Sequence, residues 1–162
     1  MWRADCNCLG RFRLSSEGIG SAIMRPFVLI GSSSPYRESR YGLILERHGF
    51  DVYVVQGGVE CINVLRKGLP NVMLLECSLL WGGVEGVLEI RSEDPVLNSI
   101  PVVLLSNDGV TADAYRLAKF RIASFFGRIP SGYELVTVIQ NALQSKDHLA
   151  VADFAQDQAT FN

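Results

Sequence analysis

Glu76 closes the run Asn71-Val72-Met73-Leu74-Leu75-Glu76, so a carboxylate stands where a buried strand should meet solvent. In open α/β sheets, chemistry is placed at such strand ends. Two more apolar runs end in hydroxyls: Phe27-Val28-Leu29-Ile30 leads into Gly31-Ser32-Ser33-Ser34, and Ile100-Pro101-Val102-Val103-Leu104-Leu105 leads into Ser106. Three strand ends thus converge on one rim. The serine run lies between a strand and a helix start, where hydroxyls and amides can cradle a phosphate, such as that of a bound flavin cofactor. Pro35 removes one of those amides, and serines before a helix also serve as caps. The bound flavin phosphate is therefore an alternative reading and not the leading one.

The elements that position these residues follow from periodicity. After Pro35, Tyr41, Ile44, Leu45 and His48 repeat at helical spacing, and Gly49 supplies a left-handed stop, which places His48 at a helix end. A second strand is expected at Asp51–Val55 and a second helix from Val59 to Lys67. A glycine-rich loop, Ser78 to Gly86, enters a short helix that ends before Pro95. Its Trp81 is open to two readings, a lid over loop carbons or an exposed interaction anchor. Further on, a helix is expected near Thr111–Phe120, a strand at Ile122–Phe126, and a last helix from Ser131 to Ser145 with Leu135, Val138, Ile139, Ala142 and Leu143 as its apolar stripe. Strands and helices that alternate five times predict a parallel sheet covered on both faces.

From Arg25 to Ser145 this pattern resembles the receiver domain of two-component response regulators. Glu76, Ser106 and Arg128 follow one another at about 30 and about 22 residues, the separations of that family's acceptor aspartate, hydroxyl and lysine. The resemblance implies a flavodoxin-like (βα)5 doubly wound α/β fold with strand order 2-1-3-4-5. It makes Glu76 the phosphoacceptor equivalent, Ser32 and Ser33 the equivalents of the metal-binding acidic pair, Ser106 and Phe125 the switch equivalents, and Arg128 the lysine equivalent. Leu80 stands where the family's loop carries proline, and that loop is about two residues longer here.

Set against the family pattern, the substitutions agree with one another. Neutral hydroxyls at Ser32 and Ser33 remove most of the charge that attracts magnesium. Glutamate carries its carboxylate one methylene, roughly 1.5 Å, farther out than aspartate. The expectation is a degenerate, or pseudo, receiver: not an enzyme, with no catalytic residue, no metal and no cofactor. Glu76 is then either a solvated carboxylate at a strand end or a permanent anion in place of a phosphorylated aspartate. Arg128 favours the second, because a guanidinium can grip a carboxylate through two parallel hydrogen bonds. A surface cation in a loop is the other reading of Arg128. Phe125 is either a switch aromatic or an ordinary core residue.

Composition bounds the rest. The chain has 162 residues, 48% of them hydrophobic, which suffices for one domain at 25–145, between an N-terminal extension (1–24) and a C-terminal tail (146–162). Met24 is a candidate alternative start. A net charge of −2 supplies no basic field for nucleic acid. Cys6, Cys8, Cys61 and Cys77 lack paired CxxC spacing, and no run approaches the ~18 apolar residues of a membrane span. A cytoplasmic protein with reduced thiols is expected. Output is expected through a protein partner, a histidine kinase or an effector, or through self-association by the 111–145 face. A conventional phosphorylatable receiver is the alternative that keeps the fold.

Overall fold

The computed structural model describes residues 24–106, 110–144 and 149–150, with 38, 39, 110–113, 149 and 150 as backbone alone. In chain order the elements are β1 (Phe27–Gly31), α1 (Pro35–Arg47), β2 (Asp51–Val55), α2 (Gly58–Gly68), β3 (Val72–Glu76), α3 (Gly83–Glu93), α4 (Pro95–Asn98), β4 (Val102–Leu105), α5 (Val110–Leu117), β5 (Arg121–Ile122), β6 (Ser124–Phe126), α6 (Gly132–Gln144) and β7 (Leu149–Ala150). Five strands form a parallel sheet in the order β2-β1-β3-β4-β6. This is the expected doubly wound order, with β6 as the sheet's fifth strand.

Alternation along the strands divides the interior in two. Leu29, Met73, Leu75, Val102 and Leu104 face one side and pack with Leu65 of α2, Val87 and Leu88 of α3, and Leu117 of α5. Val28, Ile30, Val72, Leu74, Val103 and Leu105 face the other, against Tyr41 and Leu45 of α1 and Leu135 and Ile139 of α6. Each such side chain contributes roughly 1.5–3 kcal/mol by leaving water. Because both faces are covered, the central strands are nearly uninterrupted apolar runs, and all five residues of β3 are buried.

Helix ends follow their local chemistry. Pro35 opens α1, where its missing amide is harmless. Gly49 turns the chain at φ +86°, and His48 Nδ1 lies 2.7 Å from the Ile44 carbonyl at the helix end. Asp94 caps the one-turn α4, which the sequence did not announce, by accepting from the Val96 amide at 2.8 Å.

The last strand departs from expectation. Residues 122–126 were expected to run as one strand, yet β6 pairs parallel with β4 while β5 pairs antiparallel with β7. A fully buried arginine lies at the change of partner. Arg91, in the last turn of α3, donates from Nε to the Ile100 carbonyl (2.9 Å), from Nη1 to the Arg121 carbonyl (3.0 Å) and from Nη2 to the Asn98 carbonyl (2.8 Å). Its guanidinium thus joins β5 to the segment before β4, while the Ala123 amide donates directly to the Val102 carbonyl at 2.7 Å. Burial, and then the charge of Arg121, pulls Arg91 down to about 10, still protonated at neutral pH. The pairing at Leu149–Ala150 also brings part of the expected tail into the fold. The rest of the tail and the N-terminal extension through Ile23 lie outside the described residues.

Replacing Arg91 by Met keeps most of the apolar stem and removes the guanidinium donors from three carbonyls. Urea unfolding of Arg91→Met is expected to show a loss of about 3 kcal/mol, since each orphaned buried acceptor costs roughly 1–3 kcal/mol. A loss below about 1 kcal/mol would mean that water replaces the guanidinium.

Candidate functional site

Strand register brings the three polar strand ends together. Gly31 is level with Leu75, and Glu76 is level with Leu105, so Ser32 stands level with Glu76 and Ser106 one residue beyond them on the same C-terminal rim. All three are buried: Ser32 is 0% exposed, Glu76 1% and Ser106 1%. The picture of Glu76 as a solvated strand-end carboxylate is therefore corrected. The Ser33 amide, in the loop after β1, and Arg37 of α1 lie against it.

A buried carboxylate must be matched by donors or a cation. Glu76 has both. Its Oε1 lies 3.3 Å from Nη1 of Arg37 in the first turn of α1, and its Oε2 accepts from the Ser33 amide at 3.4 Å. The sequence reading missed Arg37. The available signal was a cation in the helix turn directly after β1, which must hang over the rim, but an exposed helix charge has the same signature.

The expected contact between Glu76 and Arg128 is not formed. Arg128 is exposed and binds Glu134 instead, with Nη1 at 3.2 Å from Oε2 and Nη2 on Oε1. A stronger sequence signal was present and unused. Ser131 and Glu134 have the Ser-x-x-Glu spacing of a capping box at the start of α6. The Glu134 carboxylate accepts from the Ser131 amide at 2.8 Å, and the Glu134 amide donates to Ser131 Oγ at 3.3 Å. Hydrogen bonds from Arg128 and then Ser131 hold the Glu134 carboxyl down to about 2.

The remaining candidates are placed as follows. Ser32 Oγ accepts from the Ser34 amide at 3.1 Å, so hydroxyl and amide of the supposed phosphate cradle are spent on each other. Ser33 Oγ lies 3.3 Å from Ser78 Oγ. The Ser106 amide donates to the Phe126 carbonyl at 2.7 Å. Phe125, level with Leu104, is buried in the cluster that contains Leu117 and Phe120. Tyr41 lies below the rim, and its phenol is held above the usual tyrosine range, first by burial and then by the charge of Glu76. Cys61 is buried and its thiol is pushed up to about 12 by that burial; Cys6 and Cys8 lie outside the described residues. Among the described residues, no three His, Cys, Asp or Glu side chains gather as a metal site.

The long loop after β3 is docked on α2. Its Leu80 carbonyl accepts from the Gly58 amide at 2.8 Å and its Trp81 carbonyl from the Val59 amide at 3.0 Å. A Cβ on Gly58 would lie 2.9 Å from the Trp81 carbonyl oxygen, so the approach requires glycine. Trp81 itself sits at φ +52° with its side chain 77% exposed, an outward-facing group and not a lid.

No family model matches the chain. Its fold is that of receiver domains. It is similar to the signal receiver domain of a candidate LuxO repressor protein from Vibrio parahaemolyticus (TM-score 0.69, 18% identity, 86% of this chain and 100% of that one). It is also similar to the signal receiver domain of a signal transduction histidine kinase from Syntrophus aciditrophicus (0.68, 21%, 74% and 90%). A third is the receiver domain of a sensor histidine kinase from Pseudomonas aeruginosa, which has a magnesium ion coordinated in its active site cleft (0.70, 14%, 75% and 100%).

Two outcomes are expected from this geometry. In urea melts, Arg37→Met and Glu76→Gln should each destabilise, and the double variant should lose less than the sum by about 1–2 kcal/mol; additive losses would mean no working pair. Because Tyr41 binds its proton more tightly folded than unfolded, its contribution is complete below pH 10 and lost as pH rises through the raised value. Tyr41→Phe should therefore show a shallower alkaline loss of stability than the parent chain.

Proposed function

We propose that this chain is a receiver-like module of two-component signal transduction that acts by protein contact and without an aspartyl-phosphate cycle. The observation that carries this reading is the engagement of Glu76: both carboxylate oxygens already have partners, in Arg37 and the Ser33 amide. Phosphoryl transfer would need an oxygen free for in-line attack and cations that offset the charge of the transferring group.

The fold family implies a divalent cation at this rim, and the residues present do not suit one. Hard divalent cations favour several carboxylate and carbonyl oxygens. Among the described residues the crevice offers one carboxylate, which is ion-paired, and the hydroxyls of Ser32 and Ser33. A receiver with this crevice would sit in one state from the moment it folds.

Output through the 111–145 face is supported by its surface. Tyr115 and Tyr133 are 80% and 82% exposed, and Ile129 lies half-exposed between them in sequence. Tyrosine combines an apolar ring with a polar tip and is a frequent anchor of protein interfaces. A protein partner, or a second copy of the chain, meets this face in the cytoplasm; no helix among the described residues is long and apolar enough to cross a membrane.

The test is incubation with acetyl phosphate and magnesium followed by intact mass. No phosphoryl increment is expected, and magnesium should change the melting temperature no more than sodium chloride of equal ionic strength. A stoichiometric phosphoryl adduct that disappears in Glu76→Gln would defeat the proposal.

A further inference from the structure

We infer that Arg37 is the resident counter-ion of the rim crevice, holding beside Glu76 the place a bound divalent cation would take, so that the site is closed to metal by a cation of the chain's own. The inference rests on reading this rim as a receiver crevice. A carboxylate as buried as Glu76 cannot remain charged without compensation. The compensation can come from solution or from the chain.

The geometry favours the chain. Arg37 is the outer partner of the pair: its side chain is 24% exposed and that of Glu76 2%. Its place is fixed by the backbone. Pro35 starts α1, and the Arg37 amide donates to the Ser34 carbonyl at 3.0 Å, which sets the third helical residue over the strand ends. A metal ion entering here would meet a like charge at contact distance and, among the described residues, a single carboxylate. Loss of acids at Ser32 and Ser33 makes the cation site weak; Arg37 makes it filled.

The two effects separate in a magnesium chloride titration of the full chain, followed by melting temperature against sodium chloride of equal ionic strength. The parent chain and Arg37→Lys, which keeps a cation, are expected to show the salt effect alone. Arg37→Met should gain a saturable rise of about 4 °C by about 20 mM magnesium, as a ligand bound only to the native state requires. Arg37→Met/Glu76→Gln, with neither charge, should lose that rise. A folded Arg37→Met without a magnesium-specific rise overturns the inference, as does an equal rise in the parent chain. Should Arg37→Met fail to fold, recovery of its circular dichroism by magnesium and not sodium supports the inference. Recovery only through Glu76→Gln then overturns it, because the charge would need removal and no ion could replace the arginine. Phosphoryl uptake by the parent chain would sink the functional proposal alone, so the two failures are distinguishable.

Discussion

A parallel strand covered on both faces has only its ends for polar atoms, and β3 is the extreme instance, with no exposed residue along its length. Everything chemical in this fold is consequently gathered at the rim where β1, β3 and β4 stop. Glu76 is the critical group there, because it is buried although it ends the strand. Compensation for its charge fixes two neighbours at once. Arg37 ties the first turn of α1 to the end of β3, and the Ser33 amide ties the β1–α1 connection to the same carboxylate. The shape of the crevice is therefore set by one charge and its two donors.

The sequence made the architecture legible because burial on both faces demands continuous apolar runs, and those runs are short and bounded by polar or turn residues. The strand order and helices α1, α2 and α6 follow from that pattern with little ambiguity. The division of the last strand did not; at the break lies Arg91, a helix residue whose partners are the carbonyls of Asn98, Ile100 and Arg121. Backbone carbonyls leave no mark in a sequence, so a buried arginine satisfied by them looks like any other surface cation. For the same reason the rim residues Ser32, Glu76 and Ser106 could be gathered from spacing, while the counter-ion at Arg37 could not.

The long loop after β3 shows how a departure from a family pattern can carry its own structural logic. Helix α2 has no side-chain cap, and Gly57 precedes it in an extended conformation. Its first amides would be left without acceptors if the loop were shorter. The Leu80 and Trp81 carbonyls supply those acceptors, and Gly58 permits the approach. One consequence is that Trp81 is held outward by a backbone whose course is fixed through hydrogen bonds, with its indole edge against Gly57.

Three arginines in this chain have three kinds of partner, and the difference lies in where the backbone starts each stem. Arg91 begins on the inner face of α3 and is enclosed, so only carbonyls are in reach. Arg37 begins over the strand ends and finds the buried carboxylate below it. Arg128 begins on an exposed loop only six residues before Glu134, a carboxylate already oriented by Ser131. Closing so short a segment onto a fixed partner costs less order than drawing a long, exposed side chain into the crevice. Local closure therefore decides against the longer-range contact with Glu76, even though spacing in the sequence sets Arg128 at the position from which a family lysine would reach it. Position in a pattern specifies where a side chain starts; the partners nearest that start specify where it ends.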